Sequence, residues 1–187
     1  MQKDFKILTD NELFIELGGE RATALAAFEE LYSRHSRRIF TYILRILGDE
    51  FQAEDVYQET FARLYSSARE KRTVNNVTSY LFRIARNLCL NEKRKKDNQN
   101  VTFEEFRFAV RDENYESTEL LRLVNMALET LQEEYREAFV LREHVGLSYN
   151  EIAEVVGTTM PVIRTRIYRA KQKIRAILAP YVEDLQK

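Results

Sequence analysis

The sequence predicts an all-α fold made of two small helical domains that are joined by an acidic linker. Only five glycines and two prolines occur among 187 residues, so few positions suit the tight turns of β-rich folds. Apolar residues recur at spacings of three and four along most of the chain. This period is lost over residues 97–117, which are rich in acidic side chains. The predicted domains therefore span residues 1–96 and 118–187, with the linker between them.

Signals for the starts and ends of helices divide the first domain into four helices. Thr9 and Glu12 have the spacing of a capping box, and Gly18 and Gly19 should end the first helix. A long amphipathic helix follows and ends at Gly48. The third helix, "AEDVYQETFARLY", places its apolar residues on one side and its carboxylates on the other. The fourth, "VTSYLFRIARNLCLNEKRKK", has its cations clustered late.

The second domain is predicted to contain four shorter helices, at residues 120–131, 135–145, 148–156 and 161–178. Ser148 and Glu151 form a second capping box, and Gly157 suits the left-handed residue that follows a helix. Thr159 can cap the last helix, and Pro161 fits its first turn. A helix, a three-residue turn and a second helix make the helix-turn-helix pattern.

Charge is strongly segregated along the chain, although the formal net charge is only -1. Residues 48–62 carry five carboxylates and no basic residue, whereas residues 80–96 carry six cations against Glu92 alone. Residues 97–119 are acidic again, and residues 161–177 carry six cations and no acidic residue. Like charges on one helix repel one another and require an external anion, which favours DNA. The alternative is a basic helix that is merely solvated.

The N-terminal half of the second helix of such a motif enters the major groove of DNA. The pattern therefore predicts Thr165, Tyr168 and Arg169 as contacts to base edges. Phosphate contacts are predicted for three further cations, Arg164, Lys171 and Lys173.

The composition gives no support to an enzyme. His35 lies within an apolar pattern and His144 precedes a turn, and neither has Cys, Asp or Glu at metal-ligand spacing. Cys89 lies on the apolar side of its helix and is expected to be buried. There is no glycine-rich phosphate loop. We therefore expect no catalytic residue, no metal and no cofactor.

The sequence also predicts a cytoplasmic protein that does not insert into membranes. The N-terminus lacks the apolar run of a signal peptide, and a single cysteine forms no intrachain disulfide. No stretch approaches the roughly 18 unbroken apolar residues of a membrane span.

Several motifs together resemble the bacterial extracytoplasmic-function sigma factors. "FEELYSRHSRRIFTYILRILGDEFQAEDVYQETFARLY" and "SYLFRIARNLCLNEKRKK" are similar to region 2 of that family. "LQEEYREAFVLREHVGLSYNEIAEVVGTTMPVIRTRIYRAKQKIRAIL" resembles region 4. The resemblance implies a subunit that binds RNA polymerase core and directs promoter-specific initiation. Region 2 would melt the minus 10 element, region 4 would read the minus 35 element, and an anti-sigma protein would hold the subunit inactive.

The resemblance also implies sets of site residues. The minus 35 set is Thr159, Pro161, Arg164, Thr165, Arg166, Tyr168, Arg169, Lys171 and Lys173. The minus 10 set is Tyr80, Arg83, Arg86, Asn87, Arg94, Lys95 and Lys96. The polymerase-docking set is Asp55, Gln58, Glu59 and Phe61. Docking would involve the clamp helices of the largest polymerase subunit, and the flap region is a further expected partner.

Two members of the minus 10 set, Asn87 and Tyr80, have distinctive side chains. Asn87 would help to hold a flipped base, and its alternative role is that of a helix C-cap. Tyr80 stands where the family usually has Trp, and its hydroxyl needs a hydrogen-bond partner. The acidic linker would thread a basic channel of the polymerase.

Two other functional classes would make different demands on the sequence. A stand-alone helix-turn-helix regulator would dimerise and bind a palindromic operator without help. Its dimerising helix would need an exposed apolar seam in place of the five carboxylates of residues 48–62. A metal-dependent helical enzyme would need ligand clusters, which the sequence does not offer.

Overall fold

The computed structural model describes residues 4–98 and 123–185, and it confirms the all-α fold, with no strand among these residues. After a 3₁₀ turn at Phe5–Ile7, the N-terminal helices are α1 (Asp10–Leu17), α2 (Arg21–Leu47), α3 (Glu50–Arg69) and α4 (Val77–Asn98). The C-terminal helices are α5 (described over 123–129), α6 (Glu133–Phe139), α7 (Tyr149–Val156) and α8 (Met160–Leu185). Residues 99–117 of the predicted linker lie outside the described residues.

Both predicted capping boxes are present. The Thr9 amide donates to Glu12 Oε2 (2.7 Å) and the Glu12 amide donates to Thr9 Oγ1 (3.3 Å). The same exchange joins Ser148 and Glu151, at 2.8 and 3.2 Å. Gly157 follows α7 with a φ of 72°, a left-handed conformation that costs glycine little. Local sequence thus fixes the ends of α1 and α7, as predicted.

The predicted helix over residues 135–145 is interrupted. It consists of α6 followed by a π-helical turn at Val140–His144, in which the Val145 amide donates to the Val140 carbonyl (3.1 Å). Arg38 of α2 donates from Nε to the Val145 carbonyl (2.9 Å) and so satisfies an acceptor at the end of this turn. Since Arg38 is distant in sequence, local periodicity could not predict the interruption.

A partly buried ionic cluster ties α1 to α2 and α4. Asp10 Oδ2 lies 2.7 Å from His35 Nε2, and Thr78 donates to the same oxygen at 3.2 Å. Arg34 donates to Asp10 Oδ1 at 3.0 Å. The hydrogen bond with His35 is the largest of the effects that hold the pKa of Asp10 well below its usual range. His35, which is only 2% exposed, is therefore a structural residue.

One hydrophobic core runs through both domains. In the N-terminal bundle it contains fully buried side chains such as Tyr42 and Phe82, whose rings meet edge to face at 5.7 Å. It continues into Leu141, Leu147 and Ile152 of the C-terminal domain. There α4 packs against α7, and α2 packs against the π-helical turn. The two domains are therefore closed on each other.

A second, smaller core joins α5 to α8. It is formed by Ala127, Leu128 and Leu131 from one side and by Ala170 and Ile174 from the other. Because it fixes the middle of α8, it holds the second helix of the helix-turn-helix.

None of the helices that the structure describes has the length and apolar character that crossing a bilayer demands.

The interface between the domains should be sensitive to pH through His144. Burial is the main cause that lowers the pKa of His144 to about 4, and the nearby Arg45 lowers it further, whereas Glu143 raises it. An unfolded histidine titrates near 6.5, so the unfolded state binds more protons between about pH 6.5 and 4. We therefore expect the free energy of unfolding to fall as the pH is lowered through this window.

Urea unfolding at pH 7 and pH 5, on the wild-type protein and on His144→Gln, measures this dependence. The loss of stability between the two pH values should be smaller in the variant, which has no titrating side chain at this position. Equal losses in both proteins would contradict the assignment.

Candidate nucleic-acid and docking surfaces

The helix-turn-helix is formed by α7, a short turn and α8. The amides of Gly157 and Thr158 both donate to the Ala153 carbonyl, each at 3.0 Å, and so close the turn. Ala153 is itself buried, at 8% exposure. Below the turn, Ile163 and Ile167 are buried in the main core.

The buried apolar stripe turns the polar side of α8 towards solvent. All nine residues of the predicted minus 35 set lie at the surface. Seven are exposed, namely Thr159, Pro161, Arg164, Thr165, Tyr168, Arg169 and Lys173. Arg166 and Lys171 are half-buried. This placement is the geometry that a DNA-reading helix requires.

Some of these cations already have acidic partners within the protein. Arg166 pairs with Glu134 at 2.9 Å, and Lys171 pairs with Glu143 at 2.8 Å. The sequence argument that every cation of this helix needs an external anion is therefore wrong for these two residues. Their partners precede them by about 30 residues, so the charge pattern of the helix gave no sign of them. Among the described residues, Arg164 has no carboxylate partner.

Two further cations of α8 are oriented by neutral partners. Arg169 donates to the Tyr135 hydroxyl at 3.2 Å, and Lys173 donates to the Thr130 carbonyl at 3.0 Å. Neither contact neutralises the positive charge, so both side chains retain their attraction for phosphate.

The predicted minus 10 surface lies on α4 and is partly available. Arg83, Asn87, Arg94 and Lys95 are exposed, and Lys95 also contacts Glu92. The side chain of Lys96 lies outside the described residues. Asn87 is well inside α4, which continues to Asn98, so the alternative of a helix C-cap is wrong.

Tyr80 is half-buried and its hydroxyl has the partner that the sequence required. It lies 2.7 Å from Ser67 Oγ, and its ring meets Phe14 edge to face at 6.2 Å. The Arg83 guanidinium lies over the same ring, 5.4 Å from its centroid. Tyr80 thus connects the core of the bundle to an exposed cation.

Arg86 is held by the other domain. It donates from Nε to Glu137 Oε1 (2.8 Å) and from Nη2 to Glu137 Oε2 (3.2 Å). The Tyr42 hydroxyl donates to Oε1 of the same carboxylate at 2.9 Å. Glu137 is only 8% exposed, so this contact is shielded from solvent. In the closed arrangement the guanidinium of the half-buried Arg86 is therefore already paired with a carboxylate, which sequence reasoning did not foresee.

Other polar contacts support the same closed arrangement. Lys93 of α4 pairs with Glu133 of α6, and Arg45 of α2 donates to Asn125 Oδ1 at 3.1 Å. The interface thus combines apolar packing with ionic and polar contacts.

The predicted docking face lies on α3. Asp55, Gln58 and Glu59 are exposed and spaced three and four residues apart, which places them on one side of the helix. Phe61 does not belong to this face, because it is 3% exposed and packs against Tyr32 and other rings, 5.0 Å from Tyr32. The sequence had already placed Phe61 on the apolar side of α3, and the structure assigns it to the core.

Sequence reasoning missed one residue beside this face. Phe51, in the first turn of α3, is 85% exposed and lies four residues before Asp55. The available signal was its position outside the apolar stripe of the helix, since a large apolar residue there cannot reach the core. Exposed aromatic side chains often anchor protein interfaces.

The described residues offer no obvious site for metal or thiol chemistry. Within them, no group of three or more His, Cys, Asp and Glu side chains is placed to hold a metal ion. Cys89 is fully buried, and burial raises its pKa to about 12. Such a thiol is a poor nucleophile.

Comparison with family models defines the class of this protein. The model of sigma-70 region 2 matches residues 31–99, and the model of sigma-70 region 4 matches residues 121–174. The four-helix N-terminal bundle and the helix-turn-helix are thus the two domains of a sigma-70 type protein.

Similarity to known proteins assigns this chain to one group of sigma-70 type proteins. SigE, an ECF RNA polymerase sigma factor of Mycolicibacterium smegmatis, is 32% identical over 173 residues, which cover 89% of this chain and 66% of SigE. The RNA polymerase sigma-H factor of Pseudomonas aeruginosa is 31% identical over 172 residues, which cover 84% of this chain and 89% of that protein. This chain belongs to the extracytoplasmic-function (ECF) sigma factors.

Solved structures share the fold. CnrH in complex with the cytosolic domain of CnrY superposes with a TM-score of 0.66 and 26% identity, covering 91% of this chain and 97% of CnrH. RpoE of Bartonella quintana, in complex with the anti-sigma factor NepR, also gives a TM-score of 0.66. It covers 81% of this chain and 96% of RpoE at 23% identity, and so supports the fold alone.

Proposed function

We propose that this protein binds the core of RNA polymerase and directs it to specific promoters. The single observation that carries the proposal is the surface of α8, where eight of the nine minus 35 candidates lie outside a buried apolar stripe, while the ninth, Thr159, directly precedes the helix. The proposed functional units are residues 1–96 for docking and minus 10 recognition and residues 118–187 for minus 35 recognition, with the linker at 97–117. The protein would act in the cytoplasm, without catalysis and without a cofactor.

In this proposal, α8 reads the minus 35 element. Thr165, Tyr168 and Arg169 are exposed in its first half and would contact base edges. Arg164, Lys171 and Lys173 would position the helix on the phosphates. Arg166 and Lys171, which are paired in the closed arrangement, would exchange their carboxylate partners for phosphates.

On the minus 10 element, Asn87 would hold a flipped base and the neighbouring cations of α4 would neutralise phosphates. Extrusion of a base costs a few kcal/mol of stacking, so a shaped pocket and positive charge are both needed. Arg86 could take part only after Glu137 releases it, which requires that the two domains separate. Minus 10 recognition and domain opening would therefore be coupled.

Docking on the polymerase would use the acidic side of α3. Asp55, Gln58 and Glu59 would contact the clamp helices of the largest subunit, and the C-terminal domain would contact the flap region. An anti-sigma protein is a further proposed partner, as the family resemblance implies, and CnrH, which shares this fold, was solved in complex with the cytosolic domain of CnrY.

In vitro transcription tests the proposal. The purified protein, added to bacterial core polymerase and a library of promoter fragments, should produce initiation at a defined set of sequences that core alone does not use. The isolated protein should bind the same fragments weakly. Tight and selective binding of a palindromic site by the isolated protein would instead favour a stand-alone regulator.

Replacement of Arg169 by Ala should weaken promoter use in a manner that depends on the minus 35 sequence. A lost base contact costs about 1–3 kcal/mol at one position, whereas a lost phosphate contact weakens all sequences alike. Transcription from a panel of minus 35 variants measures the difference. Arg175→Ala, which removes an exposed cation nearer the C-terminus of α8, serves as the matched control and should lower transcription uniformly. A uniform loss with Arg169→Ala would reassign Arg169 to phosphate.

A further inference from the structure

Two guanidinium groups lie over the ring of Tyr149, the first residue of α7. The Cζ atom of Arg142 is 4.9 Å from the ring centroid, and that of Arg164 is 5.7 Å from it. The three residues come from the π-helical turn, from α7 and from α8. Tyr149 is half-buried and packs against the main core, so its ring is held by the body of the domain.

The two cations differ in how they are fixed. Arg142 donates from Nη1 to the Leu147 carbonyl at 2.8 Å, so a hydrogen bond fixes it as well as the ring. Arg164 is exposed. Within the described residues, the contact with the Tyr149 ring is the one electrostatic interaction of its side chain. The negative face of an aromatic ring attracts a guanidinium within about 6 Å of its centroid. The orientation of Arg164 therefore depends on Tyr149.

We propose that Tyr149 is a positioning residue for DNA binding, which holds the Arg164 guanidinium ready for a backbone phosphate of the minus 35 element. A long side chain loses rotational freedom when it binds, and a side chain that is already held loses less. Arg142, in contact with the same ring, adds to the positive charge of this region. This inference rests on the proposed function, because it needs α8 to face DNA.

The hydroxyl group of Tyr149 has no part in this arrangement, since the contacts of the two arginines are with the ring. Tyr149→Phe keeps the ring and removes the hydroxyl. Tyr149→Leu removes the ring but keeps apolar volume against the core. The two variants therefore separate the positioning role from general packing.

The test uses the complex of the full chain with core polymerase and a promoter duplex, with the dissociation constant measured at several salt concentrations. Tyr149→Leu should weaken DNA binding by roughly fivefold. It should also reduce the slope of the logarithm of the affinity against the logarithm of the salt concentration by up to about one, the change expected for one lost phosphate contact. Tyr149→Phe should stay within about twofold of the wild type. In an Arg164→Ala background, Tyr149→Leu should have little further effect, because the side chain that it positions is absent.

Three results would overturn the positioning role. The first is that Tyr149→Leu weakens DNA binding equally with and without Arg164. The second is that Tyr149→Phe weakens DNA binding as much as Tyr149→Leu does. The third is that Tyr149→Leu does not weaken DNA binding. If Tyr149→Leu does not fold, Tyr149→Met replaces it, since an unbranched side chain adapts more readily to a core. If the wild-type complex does not bind promoter DNA at all, the proposed function is wrong and the inference falls with it.

Discussion

Replacement of Asp55, Gln58 and Glu59 together by alanine is expected to abolish co-purification of the protein with RNA polymerase core. These side chains are exposed on one side of α3, and within the described part of the chain Glu59 pairs with Arg63 of the same helix, at 2.7 Å. Exposed pairs of this kind contribute little to stability, and alanine favours helix, so the fold should be preserved. A loss of co-purification would therefore reflect weaker binding to core polymerase and not unfolding.

The matched control replaces three exposed carboxylates elsewhere on the surface, Glu20, Glu29 and Glu154, by alanine. This variant removes three negative charges, against two in the α3 variant, and should co-purify with core polymerase as the wild type does. Affinity purification of tagged proteins, with circular dichroism to check folding, makes the comparison. Co-purification of the α3 variant at wild-type levels would exclude this face as the docking site.

A variant with Phe51→Ala alone tests the neighbouring aromatic side chain. Because Phe51 is 85% exposed, its removal should leave the free energy of unfolding almost unchanged. If the ring enters a pocket on the polymerase, affinity for core should fall by about 2 kcal/mol or more, as it does for central aromatic anchors. Titration of core with fluorescently labelled protein measures this, and unchanged affinity would place Phe51 outside the interface.

Among the substitutions proposed for this protein, Glu137→Ala is expected to cause the largest decrease in the free energy of unfolding. It removes the carboxylate that Arg86 and Tyr42 share, and leaves a half-buried guanidinium and a buried hydroxyl without this acceptor. Removal of one partner from a buried ion pair costs about 3–5 kcal/mol. Urea unfolding at neutral pH measures the change in the free energy of unfolding.

Glu133→Ala provides the control from the same helix. Glu133 also pairs with a cation of α4, Lys93, but its side chain is 56% exposed. Loss of an exposed pair should cost at most about 1 kcal/mol. Similar losses for the two variants would show that burial of Glu137 does not determine the strength of the contact between the domains.

Local sequence was sufficient to predict most helices and their ends. The capping boxes at Thr9 and Ser148 and the left-handed Gly157 involve residues no more than four positions apart, so their hydrogen bonds follow from the sequence itself. The buried stripe of α8 follows from helical periodicity in the same way. The order and spacing of the motifs also identified the family, and the comparisons confirm it.

The sequence by itself therefore determined the helical class, the two domains and the orientation of α8. Only the tertiary structure decided that the domains close on each other, that Arg86 is occupied by Glu137, and that Arg166 and Lys171 have internal partners. The physical reason is distance along the chain. Periodicity and capping act over one helical turn, whereas these charge pairs join residues about 30 to 50 positions apart and depend on how whole helices pack.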